Sequence, residues 1–204
     1  MDVTCLTEGA ETFTANVYLL EGNETALVDA GAMPGVVDAV ADRVETLDTL
    51  VVTHRHSDHV EQLEAIRAAF DPAVYAADPG DGAAVLEDGE VVRIGGEPFE
   101  AVATPGHAPD HLAFIGETAV FTGDVVVYSD GAFEDGSFGR TDLPGADRET
   151  LLASLDRLLD RLPPSIEAMY PGHGPSYEGD VRAVIERARD RAARGEPKYP
   201  EESD

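Results

Sequence analysis

Cysteine is nearly absent. Cys5 is the only one in 204 residues, so no disulfide can close within the chain. That usage fits a reducing compartment and argues against a disulfide-stapled secreted scaffold. Cys5 lies in an alternating apolar stretch and is expected to pack rather than react. Long apolar runs are missing too; none approaches the roughly 18 residues a membrane helix needs. Met1-Asp2-Val3-Thr4 has neither the basic start nor the apolar core of a signal peptide. The expected setting is therefore cytoplasmic, with no membrane partner.

Positive charge is scarce. The chain carries 14 basic and 41 acidic residues, a net charge of −27, and Lys198 is its one lysine. No basic patch is visible that would hold phosphates, which makes nucleic acid an unfavoured partner. The composition resembles that of cytoplasmic proteins from salt-accumulating halophiles, and a halophilic archaeon is the expected source. Acid-rich surfaces stay hydrated where salt screens charge to within a few ångströms. In such a cell the missing basic patch argues less strongly against RNA. A nucleic-acid mimic or a chelator of basic partners is the competing reading of the charge. At low salt, self-repulsion should loosen the fold.

What is present suffices for one domain, because 43% apolar residues can bury a core. The domain is expected over residues 1–194, with 195–204 a polar, frayed tail. Ala15–Leu20 and Ala26–Asp29 read as a hairpin around Glu21-Gly22-Asn23-Glu24. Pro34 starts a helical pattern with Val36, Val37, Val40 and Val44 on one face. Leu50-Val51-Val52 is a continuously apolar run, as in a strand covered on both sides. A second helical pattern follows the segment Thr53–His59 and runs through Phe70. Strands are expected at Ala73–Ala76, Glu90–Ile94, Phe99–Ala103, Leu112–Ile115, Ala119–Thr122 and Ile166–Tyr170. Residues 129–146 read as a loop. Asp147 caps a leucine-faced helix that Pro163-Pro164 stops, and Val181–Arg194 is the last helix. Its five arginines, interleaved with Glu186 and Asp190, read as an ion-paired solvated face. The strand–helix mixture favours a layered α/β domain with helices outside.

Six histidines carry the chemistry: His54, His56, His59, His107, His111 and His173. Each lies where an expected strand meets a loop. Three fall within the HxHxDH of Thr53–His59, beside Asp58. Imidazole and carboxylate at this spacing suit a borderline metal, with zinc the first choice. His54 and His56 can aim at one ion if the turn is extended, and Asp58 and His59 at a neighbour. His107 in TPGH, Asp124 in FTGD and His173 in PGHG each follow a strand end. Together these segments supply seven ligand-type side chains, enough for two ions; iron or manganese suits the same N/O set as well as zinc.

The set THRHSDH, TPGH, FTGD and PGHG, with the early Val28-Asp29-Ala30-Gly31, resembles the metallo-β-lactamase superfamily along essentially the whole chain. The resemblance implies a four-layer αββα sandwich with a two-metal site at one edge of its sheets. Carried over by position, His54, His56 and His107 hold one ion, and Asp58, His59 and His173 the other. Asp124 bridges them, while Asp29 orients the loop by hydrogen bonds. His111 matches no obligatory ligand and is expected to support the ligands or line the pocket. Two ions about 3.5–4 Å apart can pull the pKa of a shared water toward about 7, giving hydroxide at neutral pH. Asp58, ligated through one oxygen, could orient that nucleophile with the other.

Gly139-Arg140-Thr141-Asp142-Leu143-Pro144-Gly145, with TPGHAPDH, resembles the glyoxalase II-like (hydroxyacylglutathione hydrolase-like) branch and the related persulfide dioxygenases. The competing view of Arg140 and Asp142 is a local pair in a turn. A thioester suits this chemistry, since a thiolate of pKa near 8.5 departs with little need for an acid. The expected activity is metal-dependent hydrolysis of a small thioester, the partner being a small acyl or thiol compound. After His173 there is room only for one helix and a tail, not for the larger glutathione-binding region of glyoxalase II; Tyr177 and Lys198 cannot be aligned to it. Three alternatives stay open. One is a persulfide dioxygenase with one iron on His54, His107 and Asp124; another is a nuclease of the tRNA-processing kind. The last is a metal-binding interaction domain without turnover.

Overall fold

The computed structural model describes residues 2–78, 80 and 82–198. Strands β1 (Asp2–Cys5), β2 (Tyr18–Glu21), β3 (Thr25–Val28), β4 (Thr49–Val51), β5 (Ala73–Ala76) and β6 (Ala84–Val85) lie side by side in chain order. The first three pair antiparallel and β3 to β6 pair parallel. A second sheet runs β7 (Val91–Ile94), β8 (Glu97–Ala103), β9 (Leu112–Ile115), β10 (Ala119–Gly123). Beyond a small separate pair, β11 (Val126–Val127) with β12 (Ser137–Phe138), it is completed by β13 (Ala168–Pro171) and β14 (Tyr177–Glu178). Helices α1 (Val36–Ala41), α2 (Ser57–Val60) and α3 (Leu63–Phe70) belong to the first half, and α4 (Arg148–Arg161) and α5 (Val181–Arg194) to the second.

Alternation along the strands builds four layers. Leu19, Leu27 and Leu50 pack with Val36, Val40 and Ile66 of the first helices. Their neighbours Leu20, Val28 and Val51 point the other way, meeting Phe99, Phe114 and Phe121 between the sheets. On the far face of the second sheet, Val102, Ala113 and Val120 pack on Leu151, Leu155 and Ile185. Both faces of the central strands are covered, which is why they read as unbroken apolar runs. The fold is the αββα sandwich expected of the metallo-β-lactamase family.

Two helices differ from the periodicity. The pattern expected after His59 is helical only from Leu63 to Phe70, and a separate short helix, Ser57–Val60, precedes it; between them the His59 carbonyl accepts the N–H groups of Ala30 and Gly31 at 2.8 and 2.9 Å. A continuous helix would give that carbonyl to residue 63. The first helix stops at Ala41, its end tightened where Arg43 and Val44 both donate to the Val40 carbonyl. The Asp147 cap is present, its carboxylate accepting the Thr150 N–H at 2.7 Å. Within the loop of 129–146, Ser137–Phe138 is a short strand, too short for a pattern to reveal.

The α5 arginines are paired. Arg187 and Arg191 hold Asp135, Arg189 holds Asp156, Arg194 holds Glu196, and Arg182 caps the Leu159 and Leu162 carbonyls. Of the polar tail, Lys198 reaches Asp130 at 2.7 Å, and 199–204 lie outside the described residues. Among the described residues no helix is long and apolar enough to cross a membrane.

Candidate metal centre

Strand direction gathers the polar residues at one edge. β8 and β10 both run antiparallel to β9, and β13 runs parallel to β10, so β8, β10 and β13 end on the same side. His107 follows β8, Asp124 follows β10 and His173 follows β13, while His111 precedes β9. In the first sheet β3 and β4 are parallel and end in Asp29 and in Thr53-His54. The Leu112 N–H donates to the Thr53 carbonyl at 2.7 Å and joins the two edges.

All seven expected ligand residues converge there. His54 Nε2 and His107 Nε2 each lie 3.1 Å from His56 Nδ1. His173 Nε2 is 2.9 Å from Asp58 Oδ2, and His59 Nε2 is 3.9 Å from the same oxygen. Asp124 stands between the two sets: its Oδ2 is 3.4 Å from His107 and 3.5 Å from His173, and its Oδ1 is 3.4 Å from His59. Among the described residues, donor atoms within 4.8 Å of one another form three groups: His54, His56, His107; His54, His59, Asp124; and Asp58, His59, His173.

The donors are prepared as lone pairs. The His107 Nδ1 faces the Arg140 carbonyl at 2.9 Å, which only accepts, so that nitrogen carries the proton and Nε2 is bare. The His59 Nδ1 is likewise tied to Asp29 Oδ2 at 2.8 Å. Thr53 donates its hydroxyl to the same Asp29 oxygen at 2.8 Å and stands 3.1 Å from His54 Nδ1. Asp29 also takes the Thr53 N–H at 2.7 Å and holds a left-handed φ of 62° to do so. Such a backbone is costly outside glycine and persists only where the surroundings fix it.

Burial, then neighbouring histidines, push His54 well below the usual histidine range; burial lowers His107 too. His59 is different: burial works against its charge, yet Asp29 and Asp124 raise it well above that range. Burial opposes the charge of Asp124, and His59, His173 and His54 nevertheless hold it well below the carboxylate range. Asp58 is lowered in the same way: burial opposes its charge, and His173 and His59 outweigh that.

A metal fits this donor set. His59 Nε2 and Asp124 Oδ1 are buried and make no hydrogen bond, a costly arrangement unless a cation takes both. Gly172 packs against them, and a Cβ there would stand 2.1 Å from Asp124 Oδ1 and 2.8 Å from His59 Cε1. Neutral imidazoles and ionised carboxylates are the forms metals bind, so His54, His107, Asp58 and Asp124 are ready donors, while an ion at His59 would take the place of the proton that Asp29 and Asp124 stabilise there. The cluster suits a dinuclear site.

His111 is fully buried and takes no place among the donor groups. Its Nε2 accepts the Asp124 N–H at 3.0 Å, and its Nδ1 meets the Thr104 hydroxyl at 2.8 Å. Arg140 pairs with Asp142 through two contacts of 3.0 and 2.7 Å, so this segment serves the cluster through the Arg140 carbonyl. Sequence reasoning missed that carbonyl, Thr104, and the close approach of Gly172. Over the cluster opens a cavity of about 680 Å³, walled by Phe13, Val127, Leu143 and Pro144, with Arg140 and Lys198 at its polar side.

Comparison with known proteins agrees with this geometry. Residues 10–84 and 74–173 match the family model described as Metallo-beta-lactamase superfamily. An atrochrysone carboxyl ACP thioesterase of Aspergillus chevalieri is 36% identical over 123 residues, 55% of this chain and 40% of that protein. The chain spans 40% to 57% of such fungal relatives. Hydroxyacylglutathione hydrolase GloC of Haemophilus influenzae is 30% identical over 194 residues, 79% of this chain and 86% of that protein. Among solved structures, ETHE1 from Myxococcus xanthus superposes with a TM-score of 0.76 at 26% identity, covering 97% of this chain and 87% of that one. TTHA1623 in a di-iron-bound form gives 0.71 at 30% identity, covering 92% and 98%. With motif order, strand-end geometry and the matched model in agreement, the chain belongs to the metallo-beta-lactamase superfamily.

Proposed function

We propose that this chain is a metal-dependent hydrolase of small thioesters, of the glyoxalase II-like branch. The observation that carries the reading is that two ligand groups meet at Asp124 beneath an open cavity with an apolar wall. In this assignment His54, His56 and His107 would hold one ion, and Asp58, His59 and His173 the other. Asp124 would serve both, since its Oδ2 faces His107 and His173 alike. Two divalent ions held there would bring the pKa of a water they share toward about 7 and stabilise an oxyanion. Zinc is the first choice, and iron or manganese suits the same donors.

The protein's own groups do the rest. Asp58 stays ionised and faces the cavity, where its carboxylate accepts a hydrogen bond from the attacking water and fixes its direction. Phe13, Val127, Leu143 and Pro144 bind the apolar part of the acyl group and exclude bulk water. The thiolate leaves without a dedicated acid, its pKa being near 8.5. The named thioesterase and hydroxyacylglutathione hydrolase relatives support the choice of a thioester. The charge balance supports a high-salt cytoplasm as the setting.

A single-iron site on His54, His107 and Asp124 would leave Asp58, His59 and His173 without a role, although they form a complete group. Elemental analysis of protein purified in high salt, run beside turnover of a small thioester, tests the proposal. Two ions per chain with hydrolysis are expected. One iron, with oxygen consumed and no hydrolysis, would overturn it in favour of persulfide oxidation.

A further inference from the structure

Ala15 and Asn16, just before β2, tie together the two chain segments that form one of the two ligand groups. The Ala15 N–H donates to the Asp58 carbonyl at 3.0 Å, and the next amide, of Asn16, donates to the Gly172 carbonyl at 2.7 Å. The Asn16 side chain continues the clamp. Its Nδ2 lies 2.9 Å from the Pro171 carbonyl and 2.8 Å from the Gly174 carbonyl, on either side of His173. It also meets the Tyr18 hydroxyl at 2.9 Å, which itself donates to Pro171 at 2.9 Å. Three residues earlier, Phe13 stacks on the His173 ring at 5.3 Å with a 16° tilt.

We infer that Asn16 is a positioning residue for one ion of the pair, that of Asp58, His59 and His173, and not for the other. The inference rests on the two-ion reading above and is independent of the thioester. His54, His59 and His107 each have the remote ring nitrogen fixed, by Thr53, Asp29 and Arg140 respectively. Among the described residues His173 has no such hydrogen bond. Its aim is set by the backbone of its turn, and Asn16 holds that turn from the opposite sheet. Nothing Asn16 touches belongs to His54, His56 or His107. Groups that orient ligands typically change metal affinity by about 10–100-fold when removed.

The test is a stepwise Zn²⁺ titration of metal-free protein against a chromophoric chelator, for wild type, Asn16→Asp and Asn16→Ala. Asn16→Asp keeps the volume but replaces the donor with an acceptor facing two carbonyls. Both variants are expected to bind the first ion as wild type does and the second about 10–100-fold more weakly. The Co²⁺ absorption spectrum of the first equivalent should be unchanged. Circular dichroism of the metal-free proteins checks folding. If neither Asn16 variant folds, Tyr18→Phe removes the hydroxyl shared by Asn16 and Pro171, and should weaken the second ion selectively but less. Equal weakening of both ions, or an unchanged second ion, would overturn the inference. Wild-type protein that binds fewer than two zinc ions would overturn the two-ion reading and the inference with it.

Discussion

The Asp124 backbone N–H donates to His111 Nε2 at 3.0 Å, inside a core where His111 is 1% exposed. The imidazole must stay neutral to accept, and burial and the nearby His107 keep it so by lowering its pKa to about 3. Its other nitrogen then donates to Thr104 at 2.8 Å. His111 thus fixes the carboxylate that stands between the two ligand groups without facing a metal itself.

His111→Leu is close in volume and removes both hydrogen bonds. A buried amide left without an acceptor costs about 1–3 kcal/mol. For a chain of this size each kcal/mol moves the melting temperature by about 2–4 °C. Thermal unfolding of the metal-free variant should show that drop, and elemental analysis should show reduced metal occupancy. An unchanged melting temperature would contradict the role given to this histidine.

Gly172→Ala should act through space. The added methyl would stand 2.1 Å from Asp124 Oδ1, so the carboxylate or the turn must move. Misplacement by about 1 Å at a reacting centre can cost about 100-fold in rate. The variant is expected to fold, to bind metal poorly and to lose thioester turnover by that factor. Wild-type metal content in the variant would show that the contact is not limiting.

The pH response of the Asp130–Lys198 pair has a defined sign. Burial opposes the charge of Asp130, but Lys198, 2.7 Å away, and the Ser137 hydroxyl bring its pKa below the usual value. A carboxyl depressed in the folded state adds stability that is full above the unfolded pKa of about 3.9. That stability is lost as pH falls through the folded value. Melting curves of wild type and Asp130→Asn should differ most near neutral pH and converge below about pH 4. A difference that stays constant across this range would show that the carboxylate's charge adds nothing.

The sequence by itself determined the layers and the candidate ligands. Covered strands such as Leu50-Val51-Val52 announce themselves by apolar continuity, because both faces need apolar side chains. The histidines and aspartates announce themselves by type and spacing, because few other side chains can donate a lone pair to a metal. Tertiary structure alone decided what holds those ligands in place. The Arg140 carbonyl on His107, the Asp124 N–H on His111 and the Pro171 carbonyl on Asn16 are backbone groups that every residue type but proline's missing N–H supplies alike. No motif distinguishes them. Asn16 and Pro171 are 155 positions apart, brought together only when the two sheets pack. The break between α2 and α3 has the same origin. The His59 carbonyl is taken by Ala30 and Gly31, a long-range backbone bond standing in place of the local one that would join the two helices.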